Sequence, residues 1–232
     1  MSASTIELYW GSGSTPAWRA LLGLHHKGLP YTSRLLSFSA RETRSEAFLA
    51  INPRGKVPAL VHGELRLNES LAILAYLDAL QPTPPLFGHG PAEVGQVWRW
   101  IMEYESHGGP TFSNLARPLL FGAAPEPGAL DVTVPAVVEE LDRLSAAVAE
   151  NGALVGGQRS AADIVWYCGL RFLERALTRP AAEAHGFGLW PLLDRWPGLA
   201  RWAAVVESTP GFADTVPPHW LEGTAPLTVA LR

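Results

Sequence analysis

A single cysteine, Cys168, in a chain of 232 residues leaves no pair for a disulfide and no cysteine zinc site. Nothing in the chain therefore requires an oxidising compartment, and the cytoplasm is the expected setting. Charge is also sparse, with Asp, Glu, Lys and Arg making up 17% of residues against roughly 25% in ordinary soluble proteins. This does not signal disorder, because 47% of residues are hydrophobic and nine are Trp, enough to build a substantial core. Lysine is scarcest, two against sixteen Arg, and no Lys/Arg-rich run occurs, so no nucleic-acid partner is expected. No stretch approaches the roughly 18 uninterrupted apolar residues of a membrane span, and the first eight residues lack the basic-then-apolar layout of a secretory signal. Seven His include the adjacent His25-His26 but no His-x-x-x-His spacing, so no metal is expected.

What is present falls into two parts. Gln81-Pro82-Thr83-Pro84-Pro85-Leu86-Phe87-Gly88 is too rich in Pro and Gly for a helix or a central strand. It reads as a boundary, with one domain over 1–82, a linker over 83–88 and a second domain over 89–232. The first part carries eight Lys/Arg and six Asp/Glu (+2), the second ten and sixteen (−6). A locally basic small domain suits an anionic small ligand.

Residues 1–82 alternate between strand and helix signals. Ile6 to Trp10 is a strand feeding the Gly11-Ser12-Gly13 loop, and Thr15 stands as N-cap of a helix with Pro16 first inside it, ending at Lys27-Gly28. Tyr31 to Phe38 reads as a second strand, Ser45 to Ile51 as a short helix, Val57 to Val61 as a third strand and Leu65 to Leu67 as a fourth. Glu69-Ser70 opens a helix with Leu71, Leu74, Leu77 and Leu80 at helical spacing. The order is β-α-β-α-β-β-α. The rest reads as all-helical, with helices near 92–107, 133–150, 161–178 and 190–207, the third opened by a Ser160/Asp163 capping box. The fold class is thus α/β followed by all-α, and the Pro-rich last twenty-odd residues read as an irregular tail.

Three constellations can carry chemistry. Gly11-Ser12-Gly13-Ser14-Thr15-Pro16 lies between a strand and a helix start, where free N–H groups and a hydroxyl can stabilise an anion such as a thiolate. Ser14 is the best-placed hydroxyl, with Ser12 and Thr15 as rivals; simple helix capping is the other reading. A P-loop is excluded because Gly-Lys-Ser/Thr is missing. In Asn52-Pro53-Arg54-Gly55-Lys56-Val57-Pro58, a cis bond before Pro58 would turn the Val57 backbone towards an extended peptide-like ligand beside Lys56. The alternative is an edge proline that discourages sheet aggregation. In Asn68-Glu69-Ser70, Ser70 can hold a ligand carboxylate and Glu69 a ligand ammonium, although Glu-Ser is also an ordinary first-turn composition.

Taken in order with Trp18-Arg19, Ser160/Asp163, Trp196-Pro197-Gly198-Leu199-Ala200-Arg201-Trp202 and Thr209-Pro210, these motifs resemble the cytosolic glutathione transferase family over essentially the whole chain. Tyr9-Trp10-Gly-Ser-Gly-Ser and Leu67-Asn68-Glu69-Ser70 look most like its serine-type, rho-like class, with theta- and zeta-like features. The resemblance implies a thioredoxin-like N-terminal domain that binds glutathione as co-substrate, a helical domain shaping the electrophile pocket, and a homodimer. Carried over residue by residue, Ser14 corresponds to the serine bonding the glutathione sulfur. Val57 before Pro58 corresponds to the backbone pairing with the cysteinyl part, and Glu69 and Ser70 to the γ-glutamyl grip. Lys56, with Arg44 more loosely aligned, corresponds to cations near the glycyl carboxylate. Trp10, Ser12, Tyr104, His107, Phe112 and Trp220 are expected around the electrophile. Trp98, Trp100 and Tyr104 at such spacing are more often core or interface, and Trp220 suits either a cover for the pocket or an anchor for the tail.

The implied reaction is conjugation of the glutathione thiolate to small hydrophobic electrophiles, with peroxide reduction open to the same thiolate. A glutathione-dependent cis-trans isomerase of the maleylacetoacetate type is the alternative; its usual Ser-Ser-Cys is replaced here by Ser14-Thr15-Pro16. A non-catalytic ligand carrier is the third reading. Cys168 falls in a helix expected to be buried, which argues against thiol exchange through an enzyme cysteine.

Overall fold

The computed structural model describes residues 5–122 and 128–221. They form two compact units, the first comprising the described residues up to Leu86 together with Thr209–Leu221, the second Phe87–Ser208. Thr209–Leu221 therefore packs with the first unit, although the sequence reading placed everything after residue 88 in the helical part.

The first unit runs β1 (Ile6–Trp10), α1 (Thr15–Lys27), β2 (Tyr31–Leu35), a 3-10 turn (Glu42–Arg44), α2 (Glu46–Leu49), β3 (Ala59–His62), β4 (Leu65–Asn68) and α3 (Ser70–Leu80). Its four strands lie in the order β2-β1-β3-β4. β1 and β2 are parallel, and β3 is antiparallel to both β1 and β4. The order is the one that the alternating signals gave, and the arrangement is the thioredoxin-like one that the family resemblance implied. β2 stops at Leu35 rather than Phe38 because its partner β1 ends at Trp10, opposite Leu35. β3 begins at Ala59 rather than Val57, since Pro58 has no N–H to give the ladder.

α1 starts one residue earlier than the sequence suggested. Ser14, in extended conformation, is the N-cap, Pro16 sits in the first turn where its missing N–H is harmless, and Gly28 closes the helix in the left-handed region. Ile6, Leu8 and Trp10 alternate into the core, while α1 packs along α3. Gly23 permits that approach: a Cβ there would collide with Leu74. At the far end of α1, the fully buried Lys27 ammonium bonds Asp78 of α3 and the Pro84 carbonyl, and Asp78 also accepts from the Leu86 N–H at 2.7 Å.

The second unit is helical throughout its described residues: α4 (Pro91–Glu103), α5 (Gly109–Phe121), α6 (Ala129–Ala149), α7 (Ala161–Leu177), α8 (Pro180–His185), α9 (Leu192–Arg195) and α10 (Pro197–Glu207). α5 was missed because Gly108-Gly109-Pro110 resembles a break. Instead the chain passes through a π-helical turn, Tyr104–Gly108, straight into α5, with Pro110 in the tolerant first turn. The helix expected over 190–207 is two, divided at Trp196 by the restriction that Pro197 imposes on its predecessor. α7 is buried along nearly its whole length. Its capping box forms, and Asp163 also accepts from Leu154 N and Trp202 Nε1. Cys168 lies within α7, fully buried. No helix among the described residues is long and apolar enough to cross a membrane.

Candidate functional site

The register of the sheet places the three constellations together. Tyr9, Ala59 and Asn68 lie in one row across β1, β3 and β4. One step beyond that row the chain continues as Trp10-Gly11, Pro58-Val57 and Glu69-Ser70, so all three motifs emerge at the same end of the sheet. With strands ~4.8 Å apart, the row spans about 10 Å. That matches an extended tripeptide, which reaches about 10 Å.

At one end of the row, Ser14 N donates to Gly11 O at 3.1 Å, closing a turn whose third residue, Gly13, has φ 85. Positive φ at that position favours glycine. Ser14 Oγ accepts from Ala17 N at 3.3 Å as the helix cap. An oxygen that accepts from the helix end keeps its own O–H for a ligand. Ser12 Oγ is differently engaged, sharing a 2.6 Å hydrogen bond with His219 Nδ1. Tyr9 is turned to other work: its hydroxyl donates to Glu7 at 2.9 Å, and burial followed by the Glu7 contact pushes the phenol up from its ordinary value.

In the middle of the row, the Val57-Pro58 bond is cis. The loop leading to it is templated by Asn52, whose Nδ2 donates to Lys56 O at 2.6 Å while Oδ1 accepts from Arg54 N at 3.2 Å. Lys56 is exposed, and Arg44 reaches the same loop, donating to Arg54 O at 3.4 Å. The structure thus brings both cations to the segment before Val57.

At the other end, Glu69 is exposed and held at φ 68, ψ 117, a conformation that costs a non-glycine residue about 1–3 kcal/mol. Backbone strain of this kind concentrates where function needs a particular direction. Ser70, buried at 6% exposure, opens α3, whose first N–H groups have no partners within the helix. Its Oγ accepts from Arg19 Nη1 of α1 at 3.5 Å, which brings a buried guanidinium beside the same helix start.

The residues expected around an electrophile fare differently. Trp10 belongs to the core of the first unit, 7% exposed, with Nε1 donating to Ser33 Oγ at 2.7 Å. Trp220 is 3% exposed and packs edge-on against Trp18, centroids 5.3 Å apart, which is the anchoring role. In the helical unit, Tyr104 and Phe112 are buried against Trp166 at 5.2 and 6.1 Å, as core residues, so they depart from the expected pocket wall. His107 is exposed. A cavity of about 420 Å³ in that unit, bordered by Leu177, Ala182 and Trp190, touches none of the expected site residues.

Four contributors went unnoticed in the sequence. Asn52 and Arg19 stand in the sequence motifs without a role of their own there. Phe38 lays its ring over Gly11, where a Cβ would find no room, and His219 packs on the Ser12-Gly13 turn. For these two rings, Gly11 and Gly13 at the contact points were the only local hint.

Residues 13–80 match a family model described as glutathione S-transferase, N-terminal domain. The chain is 30% identical over 231 residues, 95% of either chain, to glutathione S-transferase A of Pleuronectes platessa. It is 41% identical over 91 residues, 38% of this chain and 41% of the other, to a probable maleylacetoacetate isomerase of Vibrio cholerae. A solved glutathione S-transferase from the Antarctic clam Laternula elliptica superposes with TM-score 0.79 at 27% identity, covering 96% of this chain and 97% of that one.

Proposed function

From the premise that this chain belongs to the glutathione S-transferase family, we propose that it binds glutathione along the end of its sheet, activates the thiol as a thiolate, and conjugates it to small hydrophobic electrophiles. The observation that carries this reading is the row Tyr9-Ala59-Asn68, beyond which the Ser14 turn, Val57 and Glu69-Ser70 succeed one another over the length of a tripeptide. Glu69 takes the γ-glutamyl ammonium and the start of α3 its carboxylate; the Val57 backbone pairs with the cysteinyl unit; Lys56 and Arg44 serve the glycyl carboxylate. Ser14 then meets the sulfur.

A free thiol has pKa near 8.5, so only about 3% is ionised at pH 7. The Ser14 hydroxyl donates to the sulfur, and the α1 N-terminus adds partial positive charge. A charge-assisted hydrogen bond contributes roughly 1.5–3 kcal/mol, or one to two pKa units, which ionises about a quarter to three-quarters of the bound thiol at pH 7. The proton leaves to solvent, and no enzyme base is needed. A peroxide oxygen can replace the electrophilic carbon. Thiolate addition followed by its departure would give cis-trans isomerisation, a second reading favoured by the 41% local identity to the probable maleylacetoacetate isomerase. A homodimer and a cytoplasmic setting complete the proposal.

The test is calorimetric binding of glutathione together with turnover of a chlorinated nitrobenzene, a peroxide and a maleyl compound. Micromolar to millimolar binding with turnover of the haloarene is expected, and Glu69→Ala should weaken binding. Binding without turnover across the panel would make the protein a carrier instead.

A further inference from the structure

We propose that His219 is a positioning residue for thiol activation, clamping from the far end of the chain the turn that aims Ser14. This rests on the reading of Ser14 as the donor to sulfur, and it adds a residue that no sequence motif singles out.

The turn Gly11–Ser14 is closed by the Ser14 N to Gly11 O bond, which makes Ser12 and Gly13 its two central residues. His219 holds both. Its Nδ1 shares the 2.6 Å bond with Ser12 Oγ across 207 residues of sequence. Its ring edge fills the place a side chain at residue 13 would take, Cε1 and Nε2 lying 2.7 and 3.1 Å from where that Cβ would be. Gly13 is thus required twice, for its positive φ and for the imidazole. A turn fixed at both central positions has little freedom to swing its last residue, and Ser14 is that residue.

His219 is itself held firmly. The segment Thr209–Leu221 is fastened along α1 at successive points: His25 Nδ1 lies 3.1 Å from Pro210 O, Trp18 Nε1 donates to Thr215 Oγ1 at 2.9 Å, and Trp220 packs edge-on against Trp18. Thr215 in turn donates to Phe212 O at 2.7 Å, so its hydroxyl is satisfied on both sides. α11 (Phe212–Thr215) and the following 3-10 turn, Pro218–Trp220, therefore carry the imidazole on a braced arm while its face stays exposed. An arm fastened this way braces the turn from the α1 side.

The consequence is a separation of binding from activation. Holding the serine hydroxyl to within a fraction of an ångström governs the thiolate, whereas peptide affinity comes mainly from the other two motifs. In His219→Ala the pKa of enzyme-bound glutathione, read from thiolate ultraviolet absorbance, should rise by about one unit, and turnover at pH 7 should fall about threefold as the thiolate fraction drops. The dissociation constant for glutathione should change less than about threefold, because it is set at the other end of the row. His219→Asn keeps a polar atom at the position of Nδ1 and should restore most of the loss; His219→Phe keeps the ring but not the bond and should not. Ser12→Ala combined with His219→Ala should cost no more than His219→Ala alone, since that substitution already removes the bond to Ser12.

A wild-type bound pKa retained in His219→Ala, or independent addition of the Ser12 and His219 effects, overturns the proposal. So does equal failure of the Asn and Phe variants accompanied by lost glutathione affinity, which would mark a merely structural role. A wild-type thiol that titrates like free glutathione overturns both this inference and the Ser14 reading. A wild-type shift that disappears in Ser14→Ala but survives in His219→Ala overturns this inference alone.

Discussion

Replacing Ser14 separates its two duties, one to the helix and one to the thiol. As N-cap its oxygen accepts from Ala17 N at 3.3 Å, longer than the usual 2.9–3.0 Å, so the cap should contribute only about 0.5–1 kcal/mol. As donor to the sulfur it should contribute about 1.5–3 kcal/mol. Ser14→Ala should therefore lower Tm by only about 1–4 °C while the thiolate fraction at pH 7 falls from about three-quarters, for a bound pKa near 6.5, to about 3%. Turnover of a haloarene at pH 7 should drop roughly 25-fold, with much of the loss recovered as pH is raised past 8.5. Ser14→Asp sharpens the contrast, because Asp caps as well as Ser and favours the helix N-terminus, yet it offers the thiolate a negative charge in place of a donor. Its stability should match or exceed wild type while activity is lost. Ser14→Thr keeps both functions and should retain most of the turnover. If Ser14→Asp stays active, or if Ser14→Ala loses turnover by the same factor at every pH, the hydroxyl is not setting the thiol pKa and the reasoning fails.

Two further substitutions probe the frame around the site. Glu69→Gly should relieve strain at φ 68 and raise stability by up to about 1 kcal/mol, while the lost ammonium contact weakens glutathione binding about tenfold; a fall in Tm or an unchanged affinity in titration calorimetry would refute this. Lys27→Met strands Asp78 beside the buried end of α1, and because Asp78 keeps the Leu86 N–H and some solvent, the cost should be about 3 kcal/mol, a Tm drop of roughly 6–12 °C. Adding Asp78→Leu should return part of that loss, and a Lys27→Met variant that melts with wild type would contradict the pairing.

Much of the first unit was legible because its signals are local. Pro16 and Lys27-Gly28 bound α1 from within the helix itself, and the helical spacing of Leu74 and Leu77 marks α3. The strand ends were less legible, since the stop of β2 at Leu35 depends on where β1 stops, which is a property of the pairing. In the helical unit, Gly108-Gly109-Pro110 misled because a π-helical turn and first-turn proline together let a helix pass through residues that usually end one. Trp10, Tyr104 and Phe112 show the same limit in the site: an aromatic residue near a motif serves a core or a pocket according to packing that the sequence does not spell out. His219 lies furthest from sequence reach, for its contact with Ser12 spans nearly the whole chain and belongs to no period or motif.

The most direct measurement of the central claim is the spectrophotometric titration of glutathione bound to the wild-type protein and to Ser14→Ala. The account predicts a bound thiol in the wild type titrating one to two units below the ~8.5 of a free thiol, with the shift lost in the variant. A wild-type thiol titrating at its free value, or a shift unaffected by removal of the Ser14 hydroxyl, would contradict it.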